Sequence, residues 1–219
     1  AVGAALAEKC KKSGRVVLSF FGDGSTNTGS FHESMNMAST LKVPLVAIIE
    51  NNLYGMSVPF SGSEVEGTLC ASNIEDIAVR AKAYNVPGMI VDGQDAAAVF
   101  LAVRKAAERA RKENLMTMIE AKTYRFDEHC VGLFVNGAYR PKEELERFKA
   151  EGDPVALFKA ALLARGNSEA ALAGIEEEVS RSVNAAVEFA RESQFPDPGE
   201  AFELVYSSPV IRNPRGAAR

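Results

Sequence analysis

Four short apolar runs divide the first 125 residues: 15–21 (RVVLSFF), 45–50 (LVAIIE), 88–93 (GMIVDG) and 115–125 (LMTMIEAKTYR). They are rich in β-branched and aromatic side chains, as expected of strands, and the first two read as strands buried on both faces. Between them the period changes to that of a helix. Residues 1–12 form an Ala-rich helix that Ser13-Gly14 ends. In 30–41, Phe31, Met35, Ala38 and Leu41 share one face. Residues 73–83 read as another helix, and a long amphipathic one starts near Asp95. Alternation of this kind predicts an α/β fold: an open, mostly parallel sheet with helices on both faces, joined by right-handed crossovers.

After Arg125 the pattern changes. Residues 126–140 show no period and read as a loop. Residues 141–166 give two charged helices, and 168–192 a longer one. The charge run KEELERFKAE reads as a solvated helix face. No repeat or long linker interrupts the chain. The expectation is one domain over 1–207, with 141–207 as a helical C-terminal extension and 208–219 as a flexible tail.

Composition excludes several classes. A net charge of −4 over 219 residues gives no electrostatic basis for binding nucleic acid or an anionic membrane. No apolar stretch approaches the ~18 residues that span a bilayer, and no targeting segment is visible. Cys10, Cys70 and Cys130 are odd in number and form no Cys-x-x-Cys pair, which points to reduced thiols in a cytosolic, cytoplasmic setting. With only two histidines there is no zinc pattern. No Gly-x-Ser-x-Gly elbow marks a serine hydrolase. The chain opens at Ala1 inside a helical pattern and reads as a piece of something longer.

Two polar clusters stand at the ends of the first two runs, Gly22-Asp23-Gly24 and Glu50-Asn51-Asn52. Asp23 and Asn52 are separated by 52 − 23 = 29 residues, about one βαβ unit. Parallel strands put their carboxyl ends on one edge, where ligands bind. The spacing therefore brings a carboxylate and an amide oxygen to one rim. Magnesium takes such hard donors and completes its octahedron with phosphate oxygens and water. Glycine beside Asp23 admits a bulky anion, and the amides of Gly24, Ser25 and the following helix supply partial positive charge. Alone, either cluster would pass for a turn; together they predict a magnesium diphosphate site. A dinucleotide fingerprint does not fit, because position 27 is Asn27 where a third glycine is required. No Gly-Lys-Ser/Thr follows, so a P-loop fails too.

The pair "GDG" and "NN" resembles the thiamine diphosphate motif. The fuller strings FGDGSTNTGSFHESMNMA, VPLVAIIENNLYGMSVP, VDGQDAAAV, IEAKTYRF and AYRPKEELERFKAEGDPV are similar to alpha subunits of the decarboxylating component of 2-oxo acid dehydrogenase complexes, acetoin dehydrogenases included. That resemblance covers nearly the whole chain. It implies a thiamine-diphosphate-binding fold, with thiamine diphosphate and Mg2+ as cofactors. Asp23, Asn52 and the backbone carbonyl of Tyr54 would hold the metal. Gly24 and Ser25 would contact the diphosphate, and Met56 would lie near the thiazolium and aminopyrimidine. The cofactor then cleaves a 2-oxo acid or acetoin and passes the acyl group to a lipoyl arm. The implied partners are a beta subunit in a heterotetramer, which supplies the glutamate that activates the aminopyrimidine, and a lipoyl acyltransferase component.

His129, in YRFDEHCVG, matches a family loop close to YRxxGHS and would donate to the diphosphate and shuttle protons. Here the loop departs from that pattern. Glu128 replaces the glycine, Cys130 replaces the serine and so excludes phosphorylation at that position, and the following Asp is missing. Arg140 is expected to anchor the loop's far end. His32 and Glu33 lie early in the helix after the diphosphate turn, with His32 facing either the site or a helix surface. The function implied is that of an incomplete alpha subunit of a 2-oxo acid (pyruvate-type) or acetoin dehydrogenase, with the acetoin or bacterial pyruvate wording favoured by FHESMNMA. The alternative is a non-catalytic subunit or scaffold that keeps the fold with a weakened site.

Overall fold

A computed structural model describes residues 1–61, 69–130 and 139–200. The expected tail at 208–219, residues 201–207 of the expected C-terminal extension and the loop centre 131–138 lie outside the described residues. The elements run α1 (Val2–Lys11), β1 (Val17–Gly22), a 3-10 helix (Asp23–Asn27), α2 (Gly29–Leu41), β2 (Leu45–Asn51), β3 (Tyr54–Gly55), β4 (Val58–Pro59), a second 3-10 helix (Ile77–Tyr84), β5 (Gly88–Asp92), α3 (Ala96–Glu113), β6 (Thr117–Lys122), α4 (Lys142–Glu151), α5 (Pro154–Ala164) and α6 (Glu169–Glu192). By compactness the chain divides into two units, Ala1–Arg165 and Gly166–Arg219. The first holds the sheet. The second holds α6, whose N-cap Ser168 hydroxyl accepts from Ala171 N–H at 3.2 Å.

The sheet has the order β1-β2-β6-β5 with every pair parallel, so β6, last in sequence, lies inside β5. The α/β class and the open parallel sheet are as expected from the alternating pattern. Successive side chains point to opposite faces, and each face carries a core. On one, Leu45, Ala47, Ile49 and Met118 meet Phe31, Met35 and Ala38 of α2, with Ala5 of α1 and Ile77 of the second 3-10 helix. On the other, Val46, Ile48 and Ile119 meet Ala102, Ala106 and Ala110 of α3. Small residues every four positions let α3 lie close on the sheet, and Asp95 caps it by accepting from Ala97 and Ala98 N–H.

Three expectations need correction. Strand β1 is not buried on both faces: Leu18 and Phe20 are 42% and 60% exposed. Among the described residues it is the edge of the sheet, and α3 lies over β2, β6 and β5 instead. Residues 73–83 form not an α-helix but the shorter 3-10 helix Ile77–Tyr84. The run KEELERFKAE is a helix, yet it is not solvated all round, because Glu144 is buried. The β3–β4 hairpin, two residues a side, carries no period a sequence could display. Among the described residues, no helix is long and apolar enough to cross a membrane.

Candidate functional site

β1 and β2 are neighbours in register, Gly22 opposite Glu50, so the residues that follow them emerge side by side at the carboxyl edge. Asp23 opens the first 3-10 helix there and is 1% exposed. Its Oδ1 accepts from Gly24 N–H at 2.5 Å, while its buried Oδ2 has no hydrogen-bond partner. Burial pushes the carboxyl above the usual carboxylate range. The Gly24 amide, the Arg125 guanidinium and the amides of Asn52 and Leu53 pull in the opposite direction without cancelling that rise. Asp23 and the Asn52 turn are thus brought together.

The turn after β2 is shaped by its own amides. Asn51 Oδ1 accepts from Leu53 N–H at 3.2 Å, and Asn52 Oδ1 from Tyr54 N–H at 3.3 Å. Leu53 and Met56 adopt left-handed φ values of 72° and 61°, which is uncommon for such side chains. The hairpin approaches the Asp23–Asn27 turn so closely that a Cβ on Gly24 would stand 3.2 Å from Gly55 Cα. A side chain on either would push the two backbones apart by a few tenths of an ångström.

Arg125, just past β6, closes the rim. It donates to the carbonyls of Tyr54 (3.2 Å) and Met56 (2.6 Å) and to the Tyr139 hydroxyl (3.2 Å), and its Nη1 stands 3.4 Å from His129 Nδ1. The Tyr54 carbonyl, the expected third metal donor, therefore shares its lone pairs with Arg125. His129 and Ser25 are exposed, and Met56 is 49% exposed. Arg140 anchors the loop as expected. Buried between the Tyr124 and Tyr139 rings, it donates to the carbonyls of Arg125, Phe126 (2.9 Å) and Asp127 (3.5 Å). His32 does not join this rim; its Nδ1 lies 2.6 Å from the Tyr84 hydroxyl.

Several residues here carry no role in the sequence reading. Arg80 grips the Asp23–Asn27 turn, donating to Thr26 O (2.5 Å), Thr26 Oγ1 (2.9 Å) and Asn27 Oδ1 (2.8 Å). It projects from a 3-10 helix and leaves no periodic signal. Glu120, wholly buried in β6, binds Asn51 Nδ2 at 2.7 Å. A carboxylate inside the apolar run MTMIEAK is the signal that would have found it.

Among the described residues, no three His, Cys, Asp or Glu side chains gather as a metal cluster. The rim instead offers one carboxylate, an amide oxygen and a carbonyl. That donor set fits magnesium completed by phosphate oxygens, and the orphaned Asp23 Oδ2 and the glycine cleft fit it too.

A model of the family described as "Dehydrogenase E1 component" matches residues 1–199. The chain is 39% identical over 208 residues to the alpha subunit of acetoin:2,6-dichlorophenolindophenol oxidoreductase from Bacillus subtilis, covering 95% of this chain and 59% of that one. It is 33% identical over 205 residues to the pyruvate dehydrogenase E1 component subunit alpha of Rickettsia felis (93% and 60%). It is 35% identical over 208 residues to the 2-oxoisovalerate dehydrogenase subunit alpha of Bacillus subtilis (94% and 60%). The chain thus spans about three fifths of the length of these relatives. With the family match running from the first helix to the end of α6, this chain belongs to the dehydrogenase E1 component family.

Proposed function

We propose that this chain is the alpha-type, diphosphate-binding part of a thiamine-diphosphate-dependent 2-oxo acid (pyruvate-type) or acetoin dehydrogenase. The observation that carries the reading is the Asp23 Oδ2 atom, buried and unpartnered at a rim shared with Asn52. A buried carboxylate oxygen without a hydrogen bond is costly, and a divalent cation is what offsets such a cost.

In this reading Asp23, Asn52 Oδ1 and the Tyr54 carbonyl hold Mg2+, with Arg125 fixing the direction of that carbonyl. Gly24 and Ser25 present backbone to the diphosphate, and Gly55 keeps the cleft narrow. His129, beside Arg125, donates to the phosphate end and moves a proton there. Met56 supplies apolar surface next to the ring end. Thiamine diphosphate, when bound, supplies the nucleophilic carbon for cleavage beside a ketone. A beta-type subunit in an α2β2 heterotetramer completes the site, and a lipoyl acyltransferase component receives the acyl group. The setting is cytoplasmic.

Calorimetry on the chain assembled with a beta-type subunit tests this. Thiamine diphosphate should bind at micromolar concentration only with Mg2+, and pyruvate or acetoin should then reduce an artificial electron acceptor. The altered loop, with Glu128 and Cys130, motivates the second reading of a non-catalytic subunit. Absence of Mg2+-dependent binding in the assembled complex selects that one.

A further inference from the structure

Glu120 stands in β6 on the same face as Met118, in the core beneath the rim, and is 0% exposed. Both its oxygens are used. Oε1 accepts from Asn51 Nδ2 at 2.7 Å and Oε2 from Ala78 N–H at 2.8 Å, with Lys122 Nζ at 3.9 Å from Oε1. An apolar side chain would serve the core at lower desolvation cost, so the carboxyl needs another reason to be there.

The reason lies in the Asn51 amide. An Asn side chain has a donor end and an acceptor end and can sit either way round. The Glu120 oxygen that accepts from it at 2.7 Å fixes Nδ2 inward. Oδ1 is then left pointing at Leu53 N–H, where it accepts at 3.2 Å. That contact holds Leu53 in its left-handed conformation and so delivers Asn52 Oδ1 and the Tyr54 carbonyl to the rim facing Asp23. Glu120's other oxygen holds the start of the 3-10 helix that carries Arg80, the grip on Thr26 and Asn27. One buried carboxyl thus braces both halves of the rim without touching it.

We propose that Glu120 is a positioning residue, which sets the geometry of the cation-donor turn by fixing the orientation of Asn51. The proposal rests on the magnesium diphosphate reading of the rim. Glu120→Gln leaves the volume unchanged but turns an amide N–H towards one of two donors, Asn51 Nδ2 or Ala78 N–H. Asn51→Asp brings two carboxyl groups face to face. The double variant E120Q/N51D restores complementarity with reversed polarity. Its introduced amide donates to the introduced carboxylate and accepts from Ala78 N–H, and that carboxylate still accepts from Leu53 N–H.

The test is Mn2+ affinity in the presence of thiamine diphosphate, read from the paramagnetic resonance of free Mn2+, on the full-length protein assembled with its beta-type subunit. Each single variant should weaken Mn2+ binding about tenfold or more, and the double variant should return to within about threefold of the native value. Asp23→Asn is the control. If it leaves Mn2+ affinity unchanged, the magnesium reading itself fails. If Asp23→Asn abolishes binding while E120Q matches native, or while E120Q/N51D stays as weak as the singles, the positioning role is overturned. Should E120Q not fold, Asn51→Ala, which keeps the Glu120–Ala78 bond, takes its place. Native Mn2+ affinity in that variant overturns the proposal equally.

Discussion

Gly24 and Gly55 meet backbone to backbone: a Cβ on either would stand 3.2 or 3.3 Å from the other's Cα. One belongs to the 3-10 turn after β1 and the other to the small hairpin after β2, so this contact sets the distance between the two segments. Neither partner is the far end of a flexible side chain, and a backbone atom gives way only by moving its segment.

Gly55→Ala should therefore destabilise the protein by about 1–3 kcal/mol, the usual cost of overpacking. At roughly 2–4 °C per kcal/mol for a chain of this size, Tm falls by several degrees. Gly3→Ala is the internal comparison. Gly3 is in α1 with nothing within 4 Å of a new Cβ, so alanine there should raise Tm slightly. A Gly55→Ala protein as stable as native would show that the two backbones are free to separate.

Asp23→Asn tests the burial of the carboxyl without any cofactor. Its folded pKa is raised by burial, so between the unfolded value of about 3.9 and the raised one the folded state holds more protons. Stability from this group is then greatest below that window and falls as pH rises through it, leaving a deficit at neutral pH. Asn carries no charge and keeps the Gly24 contact. In metal-free buffer its Tm relative to native should be higher at pH 7 than near pH 3.5. Adding Mg2+ and thiamine diphosphate to the assembled complex should reverse the order at pH 7, because only the native protein gains from binding. A relative Tm that does not change with pH would show that Asp23 is not held at a cost.

The rim could be anticipated because it depends on spacing. Asp23 and Asn52 end adjacent strands of one βαβ unit, and strand periodicity alone places them together. Arg80 and Arg125 were not legible as clamps. Each reaches its target from a distant part of the chain, Arg80 to Thr26 over 54 residues and Arg125 to Tyr54 over 71. The burial of Glu144 was hidden for the same reason: the Tyr54 hydroxyl that sets it apart from its solvated neighbours in α4 is 90 residues away. The exposed face of β1 is not legible either, because an apolar run shows that a strand is apolar, not which of its faces a helix covers.

Arg140 forks to three successive carbonyls, those of Arg125, Phe126 and Asp127, while lying between two tyrosine rings. A lysine ammonium keeps the charge and loses the planar fork. Arg140→Lys should therefore destabilise the protein by about 1.5–3 kcal/mol, the worth of hydrogen bonds to a charged group. At roughly 2–4 °C per kcal/mol for a chain of this size, thermal melts should show Tm falling by several degrees. A Tm equal to native would mean that the loop does not depend on this latch.

The Tyr54 hydroxyl donates to Glu144 Oε1 at 3.0 Å, and both residues are buried. Burial first, and the Glu144 charge second, push the Tyr54 phenol well above its usual range; burial pushes Tyr124 beside it up to about 12. An unfolded tyrosine ionises near about 10. Above that pH the folded state keeps protons the unfolded chain has lost, so stability is fully present below about 10 and falls as pH rises through the folded values. Tyr54→Phe removes one of these protons and also strips Glu144 of its donor. At pH 7 the variant should be less stable by about 1–3 kcal/mol, the cost of leaving a buried acceptor unpaired. Above about pH 10 its Tm should fall less steeply than that of the native protein. Thermal melts from neutral to alkaline pH, with phenolate absorbance followed in parallel, check both halves. Equal stability at pH 7, or parallel curves above about pH 10, would show that the Tyr54–Glu144 bond does not hold α4 against the hairpin.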